Sequence, residues 1–183
     1  MTNIIAPDSL AASLLPTPPV ILNDDDHFEF FWETVSPFSQ WKKSEMVIDG
    51  VVYPTAESFQ MAEKARQAKD HVMLAKILAT NNPRDVKALG REIQGFVEED
   101  WVKIREDVIY RGNLAKFQQN VEFCKILLET GDREIIEAAP SDFVYGIGIT
   151  ATKARITPRD QWPGLNLLGI ALMRVRSELR AAR

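Results

Sequence analysis

Two carboxylates, Glu57 and Asp142, are groups of the kind that move a proton or hold a developing positive charge. Glu57 stands at helical spacing with Gln60, Met61 and Lys64, so the four share one face. That face is either a packed seam with a salt-bridged edge or the floor of a site. The first turn of a helix favours an ionised carboxylate by about 0.3–1 kcal/mol, so Glu57 also fits the plainer role of steadying its helix. Asp142 follows Pro140-Ser141 at the entry to a loop, a usual place for a turn or cap residue. Trp101 and Tyr145 are either stacking faces for a planar ring or core aromatics. Arg91, Arg105 and Lys116 are either phosphate partners or solvated surface charges. Gly146-Ile147-Gly148 is a bare GxG, too common to carry weight alone. The sequence holds no nucleophile elbow, Walker loop, zinc helix or dinucleotide fingerprint. With His27 and His71 isolated and no metal-ligand spacing, neither metal nor cofactor is expected.

The elements that must position these groups centre on residues 44–64. Two short β-prone runs, 46–48 and 51–53, flank Asp49-Gly50, a pair suited to a two-residue turn with positive φ. Pro54 stops the second run and Thr55 can cap the helix that carries Glu57. Before this hairpin, the aromatic run at 28–32 fits a first strand and 36–41 a loop. After it the pattern is mostly helical. Asn82-Pro83 is a cap and first-turn pair for a helix to about residue 90. Another begins near Glu98, with Gly112-Asn113 as a candidate break. Residues 121–129 are amphipathic and close at Thr130-Gly131. Residues 134–138 read as a short strand or a helical turn, residues 141–165 are rich in loops, and a last helix spans about 166–181. The expectation is an α+β fold, predominantly helical: one domain over 27–183, with a small N-terminal β-sheet or hairpin packed on a helical bundle.

Composition bounds the rest. The net charge of −4 argues against a surface that wraps an extended nucleic-acid backbone, while leaving room for a local basic pocket. The single cysteine, Cys124, excludes an intrachain disulfide and suits a reducing compartment; its apolar neighbours make it a small core residue. The apolar stretch at 9–22 is broken by Pro16, Pro18 and Pro19 and is too short for a membrane span. Residues 1–26 are therefore expected to be a mobile extension, either free or laid on the domain by its leucines, and the address cytoplasmic.

At Pro54-Thr55-Ala56-Glu57-Ser58-Phe59-Gln60-Met61 the sequence resembles the opening motif of the NADAR (YbiA-like) N-glycosidase family. Further blocks follow in the family's order: Lys87-Ala88-Leu89-Gly90-Arg91, Trp101, Gly112-Asn113-Leu114-Ala115-Lys116-Phe117, Glu137-Ala138-Ala139-Pro140-Ser141-Asp142, Gly146-Ile147-Gly148, Trp162-Pro163-Gly164 and Asn166-Leu167-Leu168-Gly169. The resemblance covers about residues 28–180. Tyr145 departs from it, standing where many relatives have Trp, and residues 150–161 form a longer segment than usual.

The resemblance implies cleavage of a ribosyl C1–N bond without a cofactor, through an oxocarbenium-like state that a carboxylate stabilises. On that basis Glu57 is the expected general base or charge stabiliser, kept ionised by its helix start, and Asp142 the second catalytic group. Lys64 would orient the Glu57 carboxylate or meet phosphate, Arg91 and Lys116 would meet phosphate, Trp101 and Tyr145 the base, Asn166 would face an anion from the start of the last helix, and Gly146 would complete the binding surface. The implied partner is a small phosphorylated ribosyl-amine, such as a riboflavin-pathway intermediate. The alternatives are ADP-ribose on a guanine of nucleic acid, or a binding module without turnover. A basic rim of Arg91, Lys116, Arg155 and Arg159 would favour the nucleic-acid reading. Nothing in the sequence fixes an oligomeric state.

Overall fold

The computed structural model describes residues 21–182. Its strands are β1 (Phe28–Phe31), β2 (Met46–Ile48), β3 (Val51–Tyr53) and β4 (Glu134–Glu137). The helices are α1 (Ala56–Gln67), α2 (His71–Leu78), α3 (Pro83–Arg91), α4 (Glu98–Gln119), α5 (Val121–Glu129), α6 (Ala151–Arg155) and α7 (Leu167–Ala181). The fold is α+β and predominantly helical, in agreement with the sequence pattern.

Local chemistry accounts for most boundaries. The β2–β3 hairpin turns on Asp49 and Gly50, at φ 53° and 77°, the left-handed pair that a two-residue turn requires. The Thr55 hydroxyl accepts from the Ser58 N–H at 3.1 Å and caps α1. The Asn82 side chain accepts from the Arg84 N–H, with Pro83 behind it in the first turn of α3. Gly131, at φ 60°, ends the turn after α5.

One expectation is corrected and two are filled in. Gly112-Asn113 does not break α4, which runs unbroken through both. A Cβ at Gly112 would lie 2.8 Å from the Phe59 ring, so this glycine lets α1 and α4 approach. The buried Asn113 amide donates to the Ile109 carbonyl at 2.8 Å, within its own helix. Second, the β-structure consists of two separate pairs of strands. β1 pairs in parallel with β4, from Phe28 opposite Glu134 to Phe31 opposite Glu137, while the hairpin forms a separate pair. Parallel strands need a long crossover, here the whole run from the hairpin to α5. This pairing settles residues 134–137 as strand. Third, residues 22 and 23, near the end of the expected N-terminal extension, lie on the domain. The N–H groups of Leu22 and Asn23 donate to the Arg155 carbonyl, and the buried Asn23 amide donates to the carbonyls of Ala154 and Thr157. Residues 1–20, which carry the rest of that expectation, lie outside the described residues.

The core falls into three clusters. The first joins the hairpin to α1, α2 and α3 through Tyr53, Phe59, Ile77 and Val86. The second joins α4, α5, β4 and α7 through Ile109, Phe117, Leu127, Leu172 and Val175, with half-buried Cys124 against it. The third gathers Ile136, Ile147, Ala154 and Trp162 around the far side of β4. The residues that bear chemistry gather where the first cluster's helices face the end of β4.

Candidate active site

A cavity of about 990 Å3 opens between α1, α3 and the start of α4 on one side and the segment from Glu137 to Tyr145 on the other. The loop from Trp32 to Trp41 completes its wall. Its volume lies at the upper end of the range typical of small-molecule sites.

The loop is held from behind. Lys116, on α4 and fully buried, donates from Nζ to the Ser39 carbonyl at 2.8 Å. The Gln40 amide donates to Asn113 Oδ1 at 3.2 Å, and the Gln40 carbonyl accepts from the Glu57 N–H at 3.0 Å. The loop therefore fixes the start of α1, and with it Glu57.

Glu57 lines the cavity with only 5% of its surface exposed. The expectation that its helix start keeps it ionised is corrected. Burial raises its pKa to about 7, and the Asp142 charge pushes the same way. Lys87, a hydrogen bond from Trp41, and Lys64 oppose the rise. Desolvating a carboxylate costs several kcal/mol, more than the helix dipole returns. Near neutral pH the group is poised between acid and base.

Asp142 is fixed by its own turn: Oδ1 accepts from the N–H groups of Val144 at 3.0 Å and Tyr145 at 2.7 Å. Tyr145 is pushed up to about 12, chiefly by burial, and its hydroxyl accepts from Trp101. Both aromatics line the cavity, but Trp101 is 4% exposed and packs against Phe96, so its ring is mostly core. Lys64 and Arg91 also line it. Lys64 sits 4.0 Å from the centre of the Phe96 ring, and burial lowers its pKa.

Three sequence candidates do not reach the cavity. Lys116 is turned into the fold, where burial lowers its pKa to about 7, the Lys42 charge adding to the effect. Asn166 is buried at φ 55°; its amide donates to the Ile135 carbonyl at 2.9 Å and its Oδ1 accepts from the Glu137 N–H at 3.0 Å. It clips β4 to α7 instead of facing an anion. Gly146 packs behind the wall, where a Cβ would lie 2.9 Å from the Glu137 carbonyl oxygen.

Sequence reasoning passes over Glu137, Lys87 and Trp41, which all line the cavity. Burial raises the Glu137 pKa to about 8, with Asp142 and Glu57 adding to it and Lys87 opposing. The one signal for Glu137 is position: it ends a β-prone run just before the loop that carries Asp142. The basic rim does not form. Arg155 pairs with Asp25, Arg159 with Glu134, and Lys116 is buried. Among the described residues there is no cluster of side chains suited to a metal ion, and no helix long and apolar enough to cross a membrane.

Comparison with known proteins places the chain in a family. The NADAR domain profile matches residues 30–180. An N-glycosidase of Acanthamoeba polyphaga mimivirus is 43% identical over 126 residues, 69% of this chain and 74% of its own. A chloroplastic riboflavin biosynthesis protein of Zea mays, PYRR, is 30% identical over 162 residues, 81% of this chain and 24% of its own. The solution structure of E. coli YbiA superposes with a TM-score of 0.71 at 25% identity, covering 86% of this chain and 87% of that one. The chain belongs to the NADAR family.

Proposed function

We propose that this protein is an N-glycosidase that hydrolyses the C1–N bond of a small phosphorylated ribosyl-amine, with Glu57 as general base and oxocarbenium stabiliser. The observation that carries the reading is a nearly fully buried carboxylate on the cavity floor, set among Lys64, Lys87 and Trp41. As the C1–N bond lengthens, positive charge builds on the sugar; Glu57 answers it and then takes the proton of the attacking water. Lys64, Lys87, Arg91 and Arg105 supply the cations that a phosphorylated substrate requires. Tyr145 offers its ring to the base. The riboflavin-related name of the maize relative supports a substrate of that chemistry, and the proposed address is cytoplasmic.

The cavity volume favours a second reading, release of ADP-ribose from guanine in nucleic acid, because about 990 Å3 accommodates more than one ribosyl phosphate. Against it stands the pairing of Arg155 and Arg159, which leaves no broad basic track around Arg91. Purified protein is given a phosphorylated ribosylaminopyrimidine and, separately, an ADP-ribosylated oligonucleotide, and the released base is followed. Release from the first alone is expected. Release from the oligonucleotide alone selects the second reading, and binding without release from either leaves a binding module.

A further inference from the structure

Among the described residues, three buried side-chain atoms lack a hydrogen-bond partner: Gln67 Oε1, Arg105 Nε and Glu137 Oε2. Two of the three belong to residues that line the same cavity. Buried polar atoms are nearly always paired, and those that are not ask for a cause. Poor local order is not the cause at Glu137. Its N–H donates to Asn166 Oδ1 at 3.0 Å and its carbonyl accepts from the Ile147 N–H at 2.9 Å. The backbone is clamped on both sides, and Oε2 of the carboxyl group is left over. Arg105, which lines the same cavity and pairs through Nη1 with Glu98 at 3.7 Å, has the complementary deficit of a buried donor at Nε.

We infer that Glu137 is a catalytic residue, the carboxylic acid that protonates the departing nitrogen. The inference rests on the N-glycosidase reading above. Without a proton the nitrogen would have to leave as an amide anion, a very poor leaving group, and a positioned acid removes that barrier. Two neighbouring carboxyls serve as acid and base when their surroundings separate them. Here Glu57, on α1, has Lys87, Lys64 and Trp41 favouring its charged form, whereas Glu137, on β4, has Lys87 alone. Asp142, from the following loop, and Glu57 both oppose ionisation of Glu137. These surroundings favour the charged form of Glu57 over that of Glu137, which makes Glu57 the base and Glu137 the acid of the pair. In the reaction the C1–N bond breaks with its electron pair going to nitrogen, which takes the proton of Glu137. The oxygen of water bonds to C1 and its proton passes to Glu57. The products are free amine and ribosyl phosphate, and one proton returns from Glu57 to Glu137 to reset the pair.

The test is Glu137→Gln, which keeps shape and hydrogen-bond donors but has no proton to give. With a ribosyl-amine substrate, kcat should fall about 10²–10⁴-fold. With a nitrophenyl riboside phosphate, whose leaving group departs without protonation, the loss should shrink to within about tenfold. In the wild-type protein the alkaline fall of kcat/KM on the amine substrate should be absent for the nitrophenyl one. Equal losses on both substrates, or the same alkaline limb on both, overturn the assignment. If the wild-type protein cleaves neither substrate while Glu137→Gln folds normally, the N-glycosidase reading itself fails, a different outcome from either.

Discussion

Buried charge occurs in two places in this molecule, and they are built differently. Behind the cavity, Lys116 gives its ammonium to the Ser39 carbonyl, and Arg176 on α7 donates to Thr130 Oγ1 at 2.7 Å and the Arg133 carbonyl at 2.8 Å. Asn113 and Asn166 likewise meet partners with both ends of their amides. In the cavity wall, Glu137 and Arg105 each keep an unpartnered buried atom. Burial of a charge is therefore not what marks the site. Unmet hydrogen-bonding capacity within the cavity is: of the three buried atoms left unpaired among the described residues, two belong to its lining, and Gln67 Oε1 lies outside it.

The difference can be broken from the cavity side first. Glu57→Gln should slow turnover about 10²–10⁴-fold while leaving substrate affinity nearly unchanged, read from single-turnover kinetics beside equilibrium binding. From the other side, Asn166→Ala should act on stability. It strips partners from the Glu137 N–H and the Ile135 carbonyl, each worth about 1–3 kcal/mol when buried, and leaves alanine at φ 55°. A fall in the denaturation midpoint of several degrees is expected; an unchanged midpoint would mean the clip is not structural.

The two regions should also respond oppositely to pH. Glu57 and Glu137 have folded pKa values of about 7 and about 8, above their unfolded value of 4.5. The folded state thus holds more protons, and stability is full below pH 4.5 and falls as pH rises through 7 to 8. Lys116 is the reverse: its pKa drops from 10.5 to about 7, so the unfolded chain holds more protons and stability rises over that interval. Urea unfolding across pH should show Glu137→Gln flattening the first trend and Lys116→Met the second. If either variant flattens the other region's trend, the two regions are not separate. The smallest effect belongs to Tyr145→Phe, which removes the acceptor of the Trp101 indole: about 1 kcal/mol in stability, with a severalfold rise in KM.

Glu57 is legible in the sequence because its motif is local: a turn pair, a proline stop, a threonine cap and a helical face follow one another in the chain. Asp142 is legible as a turn aspartate for the same reason. Glu137 is not, since a glutamate at the end of a four-residue strand differs from a surface glutamate only through what packs over it. Lys116 shows the opposite failure. Read alone it is a cation free to meet phosphate, yet α4 turns it inward under the Ser39 carbonyl.

The sequence by itself determined the helix-rich α+β class, the hairpin and its turn, the main helix starts and the family resemblance. These depend on backbone preferences and side-chain spacing over a few residues. Tertiary structure alone decided that β1 would find β4 across some hundred residues, that Lys116 and Asn166 would hold the frame instead of the substrate, and that Glu57 would titrate near neutrality beside Glu137. Desolvation and Coulomb interactions act through space, and distances between groups far apart in the chain are set only when the chain is folded.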